Sequence, residues 1–136
     1  MTALTADRDT VARAGLLFSY PAKGGVLFFT GAIAAIDTAT GLATKGAEST
    51  TLKGAGIVQE QIDNTAGADG AANVTIRRGQ WRVANSAGAD QLTLKDVGMP
   101  AYIVDDQTVA KTDGGGKRSV AGTVVDIDPA GVWIAF

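Results

Sequence analysis

Short apolar runs separated by polar turn residues fill the chain from end to end. The runs are rich in Val, Ile, Phe and Thr, and a glycine falls every few residues almost throughout. Frequent glycines leave little room for a helix, whereas short β-branched and aromatic runs bounded by turn residues are typical of strands. We therefore predict strands over 14–20, 25–30, 32–37, 54–63, 73–77, 80–84, 101–104, 108–111, 119–127 and 132–136.

These elements predict an all-β fold, as a single small antiparallel β-barrel or a jelly-roll-like sandwich with at most one short helical turn. That turn is predicted over 93–98, where Thr93 is suited to cap it and Gly98 to end it. Residues 14–136 are predicted to form this one domain. Residues 1–13 are predicted to form a flexible N-terminal arm, because they carry few large apolar groups.

The segment 73–84 has the clearest alternation. Apolar residues occupy even positions up to Ile76 and odd positions from Trp81, so the parity changes across Gly79. One extra residue at a glycine is what a β-bulge supplies, which predicts one bent strand, with a tight turn as the other option. In the bent strand Arg77 and Arg82 point outward and Trp81 points inward.

Two short connections carry turn chemistry. Residues 105–107 (DDQ) lie between two apolar runs and predict a hairpin. Residues 128–131 (DPAG) fit a type I turn that pairs the preceding strand with the C-terminal one. The loops 64–72 and 112–117 are rich in Gly, Ala and Asp and are predicted to be mobile.

Composition limits the core and the chemistry. The chain has 136 residues, of which 18 are glycine and many are alanine, so we expect a single, thin hydrophobic core. It has no cysteine and no histidine, which removes disulfides, thiolate and imidazole metal ligands, and the side chains most used for proton transfer near neutral pH. We expect no cofactor and no enzymatic activity.

Charge and hydropathy bear on the partners. The formal net charge of -2 provides no basic excess to neutralise a phosphate backbone, so we expect no nucleic-acid partner. The apolar runs are far shorter than the roughly 20 residues that span a bilayer, so we expect no membrane partner. The polar start MTALTADRDT is not expected to be a secretory signal.

The aspartates are the remaining candidates for chemistry. Those at 105, 106, 113, 126 and 128 offer oxygen ligands for a hard cation or a pair of glycosidase carboxylates, but their spacing matches no calcium loop. Aspartate is also an ordinary turn residue, and we favour that interpretation. The segment 111–119 (KTDGGGKRS) lacks the spacing of a phosphate loop and predicts a flexible hairpin loop.

Arginines around Trp81 form the one local basic cluster. Arginine beside an aromatic ring is typical of the centres of protein interfaces, and the alternative is a solvated strand face with Trp81 in the core. The arginines remain candidate docking groups for an acidic partner. The full set of candidate partner-contact residues is Arg8, Arg13, Arg77, Arg78, Arg82, Lys117 and Arg118.

Several stretches, in order, resemble the capsid cement (head decoration) proteins of tailed phages and prophages. They are 56–68 (GIVQEQIDNTAGA), 74–79 (VTIRRG), 84–86 (ANS), 98–102 (GMPAY), 104–110 (VDDQTVA), 121–128 (AGTVVDID) and 131–133 (GVW). The resemblance covers roughly residues 20–136 and leaves out the arm.

This resemblance implies a compact β-barrel or jelly roll that binds the outside of an icosahedral shell built from the major capsid protein. It further implies a virion location on the capsid exterior, synthesis in the bacterial host cytoplasm, and association with other copies as a dimer or trimer. Two alternatives stay open. One is a carbohydrate-binding β-sandwich module that stacks sugars on Trp81, Tyr102 and Trp133. The other is a small hydrolase that uses Asp105, Asp106 or Asp126.

Overall fold

The computed structural model of the chain describes residues 2–13 and 15–136. Met1, at the start of the predicted arm, and Ala14, at the start of the first predicted strand, lie outside the described residues. Residues 2–13 contain neither helix nor strand. The strands of the described chain are β1 (Leu17–Pro21), β2 (Leu27–Phe28), β3 (Ile33–Asp37), β4 (Ala43–Lys45), β5 (Leu52–Val58), β6 (Ile62–Asp63), β7 (Asn73–Arg77), β8 (Gln80–Asn85), β9 (Pro100–Ile103), β10 (Thr108–Ala110), β11 (Val120–Asp128) and β12 (Gly131–Ala135).

The strands form a five-stranded sheet, a closed barrel and a small two-stranded sheet. The sheet has the order β1-β7-β5-β3-β4, the barrel runs β10-β8-β12-β11-β9, and β2 pairs with β6. Neighbouring strands are antiparallel except for β8 and β10, which are parallel. The all-β prediction is therefore confirmed.

Two single 3₁₀ turns, Gly88–Asp90 and Leu94–Asp96, join β8 to β9. The second is the predicted helical turn. There the Asp96 carboxylate accepts hydrogen bonds from the Thr93 amide (2.7 Å) and hydroxyl (3.2 Å). The first turn was not predicted, because the small residues before it carry no capping or periodic signal.

The hydrophobic core is divided by the five-stranded sheet, where a single core was expected. One cluster of buried side chains lies between the sheet and the barrel interior, and the other lies between the sheet and the β2–β6 layer. The apolar run of β3 shows the reason, because Ile33 faces the first cluster and Ala34 the second. Successive side chains of a strand point to opposite faces, so a run that is apolar at every position serves two clusters.

The segment 73–85 turns a corner between the two sheets. β7 belongs to the five-stranded sheet and β8 to the barrel, and the two strands do not pair with each other. Gly79, with φ +122, occupies the corner, and the apolar positions change from even to odd numbers across it. The alternative of a tight turn is wrong, because β7 and β8 do not pair. The chain bends at Gly79 and passes from the five-stranded sheet into the barrel.

Both predicted hairpin connections are confirmed, since β9 pairs with β10 and β11 with β12. The strand predicted over 54–63 is two strands, β5 and β6, which belong to different sheets. β4 was not predicted.

The loop 64–72, predicted to be mobile, is fastened to the body by Asn64, whose buried side-chain amide donates to the carbonyls of Lys23 (3.0 Å) and Ala68 (3.2 Å).

The five-stranded sheet meets the barrel where β5 passes β11. A Cβ atom placed on Gly54 would overlap the main-chain carbonyl of Ala121. Glycine is thus required at this crossing for close approach of two backbones. No helix among the described residues is long and apolar enough to cross a membrane.

Candidate functional site: an arginine and aromatic cluster at a sheet edge

β1 lies at one edge of the five-stranded sheet, and within residues 2–13 and 15–136 it pairs with β7 alone. The Arg78 amide donates to the Leu16 carbonyl at 2.9 Å and the Ala22 amide to the Ala72 carbonyl at 2.8 Å. Antiparallel pairs alternate between bonded and non-bonded positions, so the even-numbered residues of this segment bond to β7. The amides of Leu17 and Ser19 and the carbonyls of Leu17, Ser19 and Pro21 therefore point away from the sheet. We call these groups the open edge of β1.

Aromatic and guanidinium groups meet beside this edge. The rings of Phe18 and Tyr20 stack with centroids 6.2 Å apart and an interplanar angle of 14°. The guanidinium carbons of Arg13 and Arg78 lie 5.0 and 5.4 Å from the Phe18 ring centroid. These distances suit cation–π attraction, which is worth about 0.5–1 kcal/mol at exposed positions. Arg13 belongs to the predicted arm, so this contact fastens the arm to the sheet edge.

Positive charge accumulates at the same place. Arg77 is exposed and lies opposite Leu17 in the pairing of β7 with β1. The ion pairs found in the described part of the chain involve Arg82, Lys111 and Arg118, and none of them involves Arg13, Arg77 or Arg78. We call Arg13, Arg77, Arg78 and Phe18 the edge cluster. It is a cationic patch on a chain whose net charge is -2.

The other four predicted contact residues lie elsewhere. Arg118 is turned inward, with only 13% of its side chain exposed, and donates to Glu48 (3.0 Å), Asp90 (3.1 Å) and the Thr112 carbonyl (3.3 Å). The hydrogen bonds that Arg118 donates to the carboxylates of Glu48 and Asp90 raise its pKa. Arg118 therefore links three loops by hydrogen bonds and ion pairs, and its guanidinium is not available to a partner. Lys117 is exposed in the neighbouring loop and Arg8 is exposed in the arm.

Arg82 belongs to a second cluster on the outside of the barrel. Its guanidinium lies 5.9 Å from the Trp133 ring centroid and 3.7 Å from Asp128. The Trp133 indole N–H donates to Asp128 at 2.8 Å, and this bond is the main reason that the pKa of Asp128 is lowered. Arg82 is thereby engaged within the chain.

The tryptophans do not form one stacking platform. Trp81 is paired across strands with the buried Ile134 and packs against the barrel core, whereas Trp133 is paired with the exposed Arg82. Cross-strand partners share a face, so the two indoles point to opposite faces of the barrel wall. The indole N–H of Trp81 donates to the Arg78 carbonyl at 3.4 Å.

The candidate aspartates mainly accept hydrogen bonds from nearby backbone amides. Asp105 accepts from the amides of Gln107 (2.9 Å) and Thr108 (2.8 Å), and Asp113 accepts from that of Gly115 (3.1 Å). Asp128 accepts in the same way from the amide of Ala130 at 2.8 Å. Within residues 2–13 and 15–136 no three acidic, His or Cys side chains gather as metal ligands would.

Sequence reasoning named Arg13, Arg77 and Arg78 as candidate contact residues, but it missed the open edge of β1 and the approach of Arg13 and Arg78 to Phe18. One signal for the edge was present, because a proline in a strand is typical of an edge whose amide position faces solvent, and Pro21 ends β1. The position of Arg13 had no signal, because nothing in the arm predicts that it returns to the sheet. Comparisons of the chain with protein-family models, with curated proteins and with solved structures find no match.

Proposed function

We propose that this chain is a structural virion protein that binds the outer surface of an icosahedral phage capsid and cements neighbouring major capsid protein subunits. The edge cluster carries the proposal, because arginines beside an aromatic ring, here the exposed Arg13 and the half-buried Arg78 at Phe18, are typical of the centres of protein interfaces. The ordered resemblance of residues 20–136 to cement proteins supports the same function. On this proposal the protein is made in the bacterial host cytoplasm and resides on the capsid exterior.

The physical basis of cementing is mass action. A packaged genome presses outward, and a protein that binds only the closed shell stabilises it against opening. An interface of standard size buries about 1,600 Å² in total, and less suffices where several copies act together on a symmetric lattice. The partners are then the major capsid protein and other copies of this chain. A carbohydrate-binding module draws less support, since Trp81 and Trp133 face opposite sides of the barrel wall.

Titration of undecorated shells with purified protein tests this function. The shells are those of a tailed phage whose genome encodes the chain. We expect saturable binding and a higher temperature of shell rupture. The double variant Arg77→Glu, Arg78→Glu should bind more weakly, while Lys117→Glu, which makes a single charge reversal in an exposed loop, should bind like the parent. Shells that take up no protein and rupture at an unchanged temperature would overturn the proposal.

A further inference from the structure

We propose that the open edge of β1 receives an extended, acidic segment of the partner as an added antiparallel or parallel strand. The segment is held by main-chain hydrogen bonds and by salt bridges to the edge cluster. The inference rests on the proposed function only for the identity of the partner, which would be the major capsid protein. The acceptor itself follows from the pairing of β1 and the placement of three arginines.

The main-chain part of the acceptor is set by the register of β1. The amides and carbonyls of Leu17 and Ser19 point outward and have no partner in the described part of the chain. Pro21 offers a carbonyl and no amide, so it limits how far a ladder extends toward the C-terminal end of β1. Exposed edges of this kind are where proteins accept an extended peptide as an additional strand.

Side chains supply the apolar part of the acceptor. Leu16 and Leu17 are about half exposed, at 48% and 53%. Leu17 lies on one face of β1, and Leu16, Phe18 and Tyr20 share the other, where Phe18 stacks on Tyr20 and Tyr20 packs against the second core cluster. A strand added beside β1 would cover both faces, because its side chains alternate in the same way.

Charge decides which kind of segment fits. Arg77 lies across from Leu17 on one face, and Arg13 and Arg78 lie at Phe18 on the other. An added strand would lie about 4.8 Å from β1 and within reach of these long side chains on either face. Carboxylates at alternate or successive positions of the segment would therefore meet a guanidinium. A basic or neutral segment would leave the same cations without counter-charge.

The same charges disfavour a second copy of this chain at the edge. Two β1 strands related by a twofold axis would bring both edge clusters together, and like charges at short range are unfavourable. Pro21 of each copy would also remove one donor from the shared ladder. We therefore commit to an acidic partner segment and treat self-pairing as a test outcome.

Amide hydrogen exchange measured residue by residue tests the acceptor without any shell. The probes are a short synthetic peptide of alternating glutamate and valine and its matched peptide of lysine and valine. We expect the glutamate peptide to slow exchange at the amides of Leu17 and Ser19 by about tenfold or more at low salt, and less at high salt. The lysine peptide should leave these amides unchanged.

Two variants give the matched control. Ser19→Pro removes one outward amide and leaves the bonds to β7 in place, while Ser19→Thr keeps that amide. We expect Ser19→Pro to lose about tenfold or more in peptide affinity and Ser19→Thr to bind as the parent does, with unchanged thermal unfolding as the check on folding. Equal binding of the two peptides, or protection elsewhere on the chain, would refute the inference. Protection that appears with rising protein concentration alone would mean that a second copy occupies the edge, which also refutes it.

Shell binding by the same variants separates this inference from the proposed function. If shells bind the parent and Ser19→Pro equally well, the strand acceptor is wrong and cementing stands. If the glutamate peptide binds the open edge but shells take up no protein, the acceptor stands and cementing is wrong.

Discussion

Replacing Gly54 with alanine probes the crossing of β5 and β11, where the five-stranded sheet meets the barrel. An alanine Cβ at this position would overlap the Ala121 carbonyl oxygen and lie 2.6 Å from its carbonyl carbon and 2.7 Å from its Cα. Ordinary contacts of a Cβ atom fall at 3.4–4 Å. The two strands must therefore separate by about 1 Å, because backbone atoms have no rotamer by which to move aside.

The cost follows from what surrounds the crossing. Leu52 and Val124 are 7% and 1% exposed, so a separation of the strands loosens contacts in the first core cluster. Overpacking of this kind costs about 1–3 kcal/mol or more. The reduced entropy of the unfolded chain offsets about 0.4–1 kcal/mol of this loss. We expect a net loss of about 1–2 kcal/mol, which lowers the melting temperature by about 4–7 °C in a domain of this size.

Thermal unfolding followed by circular dichroism measures the effect, with Lys53→Ala as the control in the same strand. Lys53 is exposed, so its replacement should change stability by less than about 0.5 kcal/mol. Adding Ala121→Gly to Gly54→Ala should not restore stability, because the obstructing atoms belong to the main chain. A Gly54→Ala variant as stable as the parent, or rescue by Ala121→Gly, would refute the close crossing.

Two further predictions concern the charged groups that hold the loops. Arg118→Met should lower the free energy of unfolding by about 1–3 kcal/mol, less than for a fully buried ion pair because Glu48 and Asp90 regain water. Denaturant titration measures this, and an unchanged midpoint would show that the three loops hold without Arg118. The pKa of Asp96 is lowered, first by the hydrogen bond from the Thr93 amide, so its charged form stabilises the fold. That stabilisation is fully present above the unfolded pKa of about 3.9 and is lost as pH falls through the lower folded value. Melting temperatures measured from about pH 6 to below pH 3 should fall less steeply below pH 4 in Asp96→Asn than in the parent, and identical profiles would contradict this.

Local patterning predicted the fold class and the strands with strict alternation. β7 and β8 were predicted almost to the residue because apolar and polar positions alternate on each side of Gly79. The turn at 128–131 was predicted because Asp, Pro and Gly each have a fixed position in it. Where the strand has no such pattern, prediction failed: β4 reads Ala-Thr-Lys and is too short to show a period.

Long-range pairing lies beyond what local patterns encode. Nothing near residue 118 shows that Arg118 reaches Glu48 and Asp90, which are distant in sequence. The edge position of β1 depends on which strands pair, and only Pro21 hints at it. Of the seven predicted contact residues, the fold brings Arg13 and Arg78 to Phe18, places Arg77 on the other face of the same edge, and engages Arg82 and Arg118 within the chain. Arg77 and Arg78 lie beside β1 because β1 and β7 pair in antiparallel register.

An electron-microscopy map of a decorated shell tests the proposed role of the β1 edge most directly. We predict that the open edge of β1 and the edge cluster face the shell, with continuous density for an added strand beside Leu17 and Ser19. Trp133 and Arg82, on the outer wall of the barrel, should lie away from that contact. A map in which the β1 edge faces solvent while another surface touches the shell would contradict the proposal.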